Sequence, residues 1–263
     1  MGILKNKNTR VLIIAMVILV VASLIVSKVY YQNINEAVDP RVVKAREMYE
    51  DYNNHAQDNN FAAILALLDS IENIYAGIPH YEKSFEMGVI ANNRAAVYLN
   101  LAMHKDSIKL PENSQYLLEY SRDSLIELAL QDVNTAIRIY DDWREKYADV
   151  SREKCQKMIQ SEFLKGLESH TEKEQNKYLE NRVDIFMDNQ VEINRRLSVS
   201  YTNLGVIYRL RENYDQAIDA YGKAIELWEK NLTAENNLNV LLGRPKKKRN
   251  LIQKLFPPDR DTD

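Results

Sequence analysis

The residue types that most often carry out chemistry are few in this chain and have no functional spacing. The four histidines, His55, His80, His104 and His170, are scattered without the short separations of a metal site, so we expect surface or capping roles. The single cysteine, Cys155, excludes an internal disulfide and lies in a helical pattern, where a small core residue is expected. No glycine-rich phosphate loop and no Ser/His or Cys/His motif occurs. The sequence therefore predicts no catalytic residue, no metal, no cofactor and no small-molecule substrate.

Composition favours an all-α protein. Of 263 residues, 45% are hydrophobic, which is enough for a core, and only seven are glycine and six proline, which favours long uninterrupted helices. The net charge of −3 gives no reason to expect a nucleic-acid partner. Any electrostatic recognition must therefore be local.

The N-terminal region predicts a membrane anchor. Residues 11–31 form an apolar run of about the 20 residues that span a bilayer. A cleaved signal peptide is the alternative, but the run is long for one and no small-x-small cleavage site follows it. Three basic residues, Lys5, Lys7 and Arg10, precede the apolar stretch 11–27, whereas only Lys28 follows that stretch before Arg41, which predicts a cytoplasmic N-terminus at 1–10. We therefore expect a single-pass inner-membrane protein with a short stalk, 32–38, and an extracytoplasmic main domain, 39–243.

Residues 198–231 carry small and large side chains at the spacing of two closely packed helices. Those positions are Tyr201, Leu204, Gly205 and Tyr208 on the first helix, with Ala217, Tyr221 and Ala224 on the second. Small residues let the helices approach, and tyrosines fill the space beside them. The pattern resembles the 34-residue tetratricopeptide repeat, except that Glu229 replaces the usual proline. The resemblance implies an array of helical hairpins with a protein-binding surface.

A second, interrupted repeat is predicted at 88–141. Ala95 takes the small position of its first helix, while Ala129, Val133 and Ala136 repeat the spacing of the second helix 22 residues further along than the repeat allows. We interpret residues 99–125 as extensions of both helices that form a projecting hairpin.

That hairpin has an apolar seam that must pack somewhere. Its seam includes Leu117, Leu118 and Tyr120. The seam packs either on the long helix at Leu179, Val183 and Phe186, or on another subunit.

Capping signals predict the other helices. The Asp39-Pro40 pair begins the first, and the second runs from near Asn60 to Gly77. A helix carrying Cys155, Ile159, Phe163 and Leu167 packs on a long helix at about 172–210, which Thr171 and Glu174 begin as a capping box. Gln190 is its conspicuous polar interruption, and Thr233 caps a final helix.

The tail at 244–263 is basic and then acidic. It is either a solvated tail or a docking segment for an acidic partner or an anionic membrane surface. The docking residues would be Lys246, Lys247, Lys248, Arg249, Leu255 and Phe256.

The family resemblance also implies a concave groove lined by the first helix of each repeat. Its positions here are Asn92, Ala96, Leu99, Thr202, Val206 and Arg209. Some relatives hold a peptide carboxylate there through lysine, asparagine and arginine, and this chain lacks that set. A mixed apolar groove for a helix or an extended segment is expected instead.

The expected function is a non-catalytic, membrane-anchored scaffold in a bacterial envelope assembly such as secretion, envelope biogenesis or the flagellar-motor periphery. Its partners would be other proteins of a membrane-associated complex. The alternative is a folding or translocation helper that binds client segments transiently, with a membrane-tethered enzyme as a third possibility.

Overall fold

The computed structural model describes residues 37–248 apart from the side chain of Asn53, and its regular elements are all helical. A 3-10 turn at Pro40–Val42 leads into the first α-helix. The α-helices are α1 (Val43–Gln57), α2 (Phe61–Ala76), α3 (Phe85–His104), α4 (Arg122–Tyr147), α5 (Arg152–Phe163), α6 (Glu172–Leu210), α7 (Tyr214–Leu227) and α8 (Leu232–Leu241). Between residues 37 and 248, none of these helices is long and apolar enough to cross a membrane. The predicted anchor at 11–31 and the segment 1–10 lie outside the described residues.

The N-terminal hairpin, α1–α2, begins where its capping residues predict. The Asp39 carboxylate accepts the Arg41 N–H at 3.0 Å, and Asn60 Oδ1 accepts the Ala63 N–H at 3.3 Å. Gly77 ends α2 as predicted. The inner face of α2 is apolar and buried along its length, at Phe61, Ile64, Leu65, Leu68 and Ile71. This hairpin therefore covers one end of the core.

Helices α3 and α4 form an antiparallel pair with a very close approach. A Cβ built on Gly88 would lie 2.6 Å from Cε1 of Tyr140, so only glycine fits there without a shift of the ring. Further along the pair, Arg94 lies 3.7 Å from Asp132. We call α3–α4 the interrupted pair.

The insertion between α3 and α4 corrects the prediction of a projecting hairpin. Both helices do reach into 99–125, since α3 continues to His104 and α4 begins at Arg122, but a 3-10 helix at Glu112–Glu119 joins them where a helical hairpin was predicted. Ser114 Oγ accepts the Ala62 N–H at 3.1 Å, and Leu117 is buried, which attach the insertion to the start of α2. Leu118 is half-buried and Tyr120 exposed. The insertion does pack inside the molecule, but on the N-terminal hairpin instead of on the long helix.

Helix α6 is a single helix of 39 residues, about 58 Å long at 1.5 Å per residue. Its predicted capping box is present, because the Thr171 N–H donates to Glu174 Oε2 at 2.9 Å and Thr171 Oγ1 accepts the Glu174 N–H. Helix α5 packs against α6 and buries Cys155 and Phe163. The predicted capping box and the predicted packing of the shorter helix on the long one are therefore both confirmed. Burial raises the pKa of the Cys155 thiol, as a core cysteine requires.

The polar interruption at Gln190 has a structural explanation. Its Nε2 donates to the carbonyls of Tyr147 at 2.6 Å and Val150 at 2.8 Å. These carbonyls lie at the C-terminal end of α4, where helical carbonyls lack partners within the helix. Gln190 therefore ties the end of the interrupted pair to the middle of α6.

The C-terminal part of α6 packs with α7 as the compact pair, residues 198–227. A Cβ on Gly205 would lie 2.5 Å from Cε1 of Tyr221, the same kind of contact as in the interrupted pair. Helix α8 follows, and its N-cap is Asn231 instead of the predicted Thr233. Asn231 Oδ1 accepts the Ala234 N–H at 3.0 Å, while Nδ2 donates to Ser198 Oγ at 2.8 Å. Asn231 therefore joins α8 to the compact pair.

Candidate partner-binding surfaces

The six residues of the predicted groove do not form an open surface. Leu99, Thr202 and Val206 are 3%, 5% and 8% exposed, so they lie in the packed interior. Asn92 and Arg209 are half-buried, and Ala96 is exposed. The prediction placed every one of these positions on a solvent-facing wall, and burial in helix contacts corrects that for the first three.

Asn92 joins the two pairs instead of facing a partner. Its Oδ1 accepts hydrogen bonds from Ser200 Oγ at 3.0 Å and from Asn203 Nδ2 at 3.1 Å. Both donors lie on α6, so Asn92 fixes the position of α3 against the long helix. The predicted groove is closed at this level.

One turn earlier on α3, the same side of the array opens into a cleft of about 790 Å³, which we call the tyrosine cleft. Its walls are α1, the start of α3 and the N-terminal half of α6, and the end of α2 with the following turn contributes tyrosines. Val89 and Glu86 line it from α3, at positions about one and two turns before Asn92. The open surface is thus displaced toward the N-terminus of α3 relative to the prediction.

Arg182 and Glu86 form a bidentate ion pair in this cleft. Arg182 Nη1 contacts Glu86 Oε1, and Nη2 donates to Oε2 at 3.2 Å. The Arg182 side chain is 2% exposed, and its Cζ lies 4.2 Å from the Tyr81 ring centroid and 4.9 Å from that of Phe186. Moving a charged guanidinium out of water is costly, and the carboxylate partner and the two aromatic rings offset that cost.

The ion pair controls the charge of Glu86. Burial alone would raise the pKa of this carboxyl, but the charge and hydrogen bonds of Arg182 outweigh it and hold the pKa at about 2. The pKa of Arg182 is raised by the same partner against the effect of burial. Both groups therefore stay charged through the physiological pH range.

Sequence reasoning missed this pair, although a signal was present. The sequence pattern singles out Gln190 as the polar interruption of α6, but Arg182 also lies on the buried face of this helix, between Leu179 and Phe186. A charged residue at such a position requires a buried partner. The partner, Glu86, is 96 residues away along the chain, so spacing alone did not indicate it.

The cleft tyrosines are fixed in place. The rings of Tyr75 and Tyr81 stack with centroids 5.5 Å apart and planes at 17°. Burial is the main cause that raises the pKa of Tyr49, Tyr75 and Tyr81, so their hydroxyls stay protonated at neutral pH. These side chains give the cleft an aromatic and uncharged floor beside the ion pair.

A second cleft, of about 670 Å³, lies on the other side of α3 and reaches His80 and Trp143. His80 is not the surface histidine that was expected, because its ring lies between Phe163 and Phe186 with centroids 5.8 and 5.5 Å away. Burial, together with the charge of Arg182, lowers the pKa of His80 to about 3, so the imidazole is neutral. Its backbone φ is +77°. The half-buried His80 therefore packs its ring against the aromatic core residues Phe163 and Phe186.

The basic tail begins against α8. Lys246, Lys247 and Lys248 are exposed, and Lys247 contacts Glu235 and Asn236. Arg249, Leu255 and Phe256 lie outside the described residues. Across residues 37–248, no group of three or more histidine, cysteine, aspartate or glutamate side chains is placed to hold a metal ion.

The architecture is therefore an array of helical hairpins with clefts on its surface. The family model of the tetratricopeptide repeat matches residues 198–231, which are the compact pair and the turn that follows it. The match confirms the resemblance for this segment, and the all-helical fold around it is consistent with an array of such hairpins. No match was found to a curated protein or to a solved structure.

Proposed function

We propose that this protein is a non-catalytic scaffold, anchored in the inner membrane through residues 11–31, whose helical domain binds partner proteins of a bacterial envelope assembly outside the cytoplasm. Tetratricopeptide repeats generally mediate protein–protein interactions, and residues 198–231 match that family. The observation that carries the proposal is the tyrosine cleft. It is a preformed opening in an array of the kind that binds other proteins.

The chemistry of the cleft favours a partner segment with apolar side chains. Val43 is 38% exposed on α1 although it is apolar, and Val89 and Ile185 line the opposing walls. The rim on α1 carries Arg46 and Glu50, which can fix the direction of a bound segment. A short helix or an extended segment fits this arrangement.

Capture of partners from membranes tests the scaffold. The intact protein is isolated in several mild detergents, and its co-purifying proteins are compared with those of a Val43→Glu, Arg46→Glu variant. We expect the variant to lose a defined partner, because a carboxylate replaces an apolar contact and a rim charge is inverted.

Val240→Glu is the matched control, since Val240 is 43% exposed on α8, away from the cleft. Recovery of the protein alone in every detergent would contradict the scaffold. Retention of the partner by the cleft variant would contradict the placement of its site.

Topology is tested separately. A reporter that is active only after export is fused after Asp263, and we expect activity. Activity of a cytoplasm-only reporter at the same place would reverse the proposed orientation.

The alternative, a transient folding or translocation helper, draws on the aromatic floor of the same cleft. An adaptable surface needs mobile side chains, whereas Tyr81 is held between Tyr75 and Arg182. This rigidity favours a dedicated partner. If the protein delays the aggregation of unrelated unfolded proteins, the helper function is supported instead.

A further inference from the structure

The C-terminal tail turns back along the last helix instead of leaving the domain. Gly243 has a φ of +68°, and the Arg244 N–H donates to the Asn239 carbonyl at 2.7 Å. Three residues later, Lys247 lies level with Asn236. The residue numbers rise along the tail as they fall along α8, so the two segments are antiparallel.

Asn236 and Glu235 bind this extended segment in the way that a neighbouring strand would. Asn236 Oδ1 accepts the Lys247 N–H at 2.7 Å, and its Nδ2 donates to the Lys247 carbonyl at 3.0 Å. The Lys247 ammonium also pairs with Glu235. One asparagine therefore satisfies both backbone groups of a tail residue and fixes the direction in which the chain continues.

That direction leads past the start of α8 to a hollow of about 250 Å³ beside Trp228, which we call the Trp228 hollow. It lies between the middle of α6 and the end of α7, with Val191, Arg195 and Leu227 among its lining. Val191 is 46% exposed although it is apolar, and the buried Nε1 of Trp228 has no hydrogen-bond partner among the described residues. Arg195 covers one side of the indole, with its Cζ 5.5 Å from the ring centroid.

The tail has the length and composition to reach and fill this hollow. From Asn236 to the start of α8 is about 6 Å at 1.5 Å per residue. Four residues beyond Lys247 would span about 13 Å if extended, which is long enough for Leu251 to reach the hollow. In the sequence, the apolar residues beyond Arg249 have the spacing of one face of a helix and are Leu251, Ile252, Leu255 and Phe256. Basic residues precede them, while acidic Glu235 pairs with Lys247 and acidic Glu192 is among the lining of the hollow.

We propose that residues 249–256 are an intramolecular ligand of the Trp228 hollow: the tail continues from the Asn236 contact and seats its apolar side chains between α6 and α7. This surface is distinct from the tyrosine cleft, so the inference does not depend on the proposed function. Bound there, the tail covers the C-terminal end of the array and shields Val191 and Trp228 from solvent.

Trp228 is itself the reporter. Acrylamide quenching and emission are measured on the full chain and on Trp228→Phe, and the difference gives the Trp228 component, since the second tryptophan is the buried Trp143. In the Leu255→Ser, Phe256→Ser variant we expect a red shift and a larger quenching constant for that component. The matched control, Asp259→Ser with Asp261→Ser in the same tail, leaves both unchanged.

The Asn236 contact gives a second measurement. Asn236→Ala should increase Trp228 quenching in the same direction, and Asn237→Ala on the same helix should not. An unchanged Trp228 signal in both the Leu255→Ser, Phe256→Ser variant and the Asn236→Ala variant overturns the proposal. The proposal is also overturned if the Leu255→Ser, Phe256→Ser variant keeps its Trp228 signal but loses binding to anionic phosphatidylglycerol vesicles. That result would make the tail a membrane-surface element.

Cross-linking provides an independent test of position. Val191→Cys combined with Leu255→Cys should form an intramolecular disulfide under mild oxidation, while the native Cys155 is buried. Tyr214→Cys with Leu255→Cys is the control, because Tyr214 is 51% exposed at the opposite end of α7. Equal yields for the two pairs would show a freely moving tail and contradict the proposal.

Discussion

The interrupted pair and the compact pair make the same central contact with different connections. In each, a glycine on the first helix lies against a tyrosine ring on the second, Gly88 against Tyr140 and Gly205 against Tyr221. The compact pair has a turn of three residues between its helices, whereas the interrupted pair has the whole segment 105–121. The family model matches only the compact pair. Helix packing thus tolerates a long insertion, while a sequence pattern of fixed length does not.

The two pairs also differ in the polar groups that they bury. Beside the compact pair lie uncharged groups, with Asn231 Nδ2 donating to Ser198 Oγ at 2.8 Å and to Thr202 Oγ1 at 2.9 Å. Beside the interrupted pair, the buried Arg182 of α6 instead forms an ion pair with Glu86 of α3, which is 21% exposed. Charges are costlier to leave without a partner, so the interrupted pair should be the more sensitive to loss of one group.

The largest expected effect is that of Glu86→Gln, which leaves the Arg182 guanidinium buried without a charged partner. We expect the free energy of unfolding to fall by about 3–5 kcal/mol at pH 7, measured by urea denaturation. Arg182→Met added to Glu86→Gln should recover part of this loss. A loss below about 1 kcal/mol in the single variant would show that the pair is solvated like a surface ion pair.

The same pair predicts an acid dependence. The pKa of Glu86 lies at about 2 in the folded chain, below its ordinary value of 4.5. A lowered carboxyl pKa stabilises the fold above about pH 4.5, and this contribution is lost as the pH falls toward 2. Glu86→Gln should therefore flatten the stability curve in that window.

The next largest loss of stability is expected from two alanine substitutions, which test whether the two glycine contacts are equivalent. Gly88→Ala and Gly205→Ala each place a methyl group within 3 Å of a tyrosine ring, and each should cost about 1–3 kcal/mol of stability. Thermal unfolding measures both. A loss of stability for Gly205→Ala alone would mean that the ring of Tyr140 moves aside for the methyl group at position 88, and that the two glycine contacts are not equivalent.

Asp132 gives a smaller, pH-dependent effect within the interrupted pair. Burial raises the pKa of its carboxyl to about 6, with Arg94 partly opposing and Glu72 adding to the rise. Because the folded chain holds this proton more tightly, stability should fall by about 1–2 kcal/mol as the pH rises from about 4 to 6. Asp132→Asn should remove that fall in denaturation curves, and an unchanged slope would contradict the assignment.

The smallest expected effect is a gain. Gly222 lies on α7 of the compact pair, and a Cβ there would meet no atom within 4 Å. Gly222→Ala should stabilise the chain by about 0.5–1 kcal/mol, because alanine is the better helix former. It therefore serves as the matched control for Gly205→Ala, and a loss of stability would show an unseen contact.

What the sequence predicts well is what local interactions decide. Asp39, Asn60 and Thr171 cap helices through contacts within three residues, and the start of each of these helices was predicted from them. The tetratricopeptide pattern was found because its residues have a fixed spacing. The final helix was predicted but its cap was not, because Asn231 is chosen over Thr233 by its contacts with α6.

The candidate surfaces were predicted less well, because contacts between distant segments decide them. Leu99 and Val206 could line a groove only if the neighbouring helices left their side chains exposed to solvent. Spacing within one helix does not show whether a neighbouring helix covers a residue, and both are buried. The insertion at 99–125 folds onto α2 through Ser114, whose partner Ala62 is 52 residues away. Long-range partners of this kind leave little local signal.

Helix α6 has a mechanical consequence. Arg182 and Ile185 on its N-terminal half line the tyrosine cleft, and its last turns form the first helix of the compact pair. In most repeat arrays a loop separates neighbouring hairpins, but here the continuous helix α6 runs from the tyrosine cleft into the compact pair. A load applied at the cleft therefore passes along the α6 backbone to the compact pair, and tension along this helix would stretch no hinge inside this part of the domain.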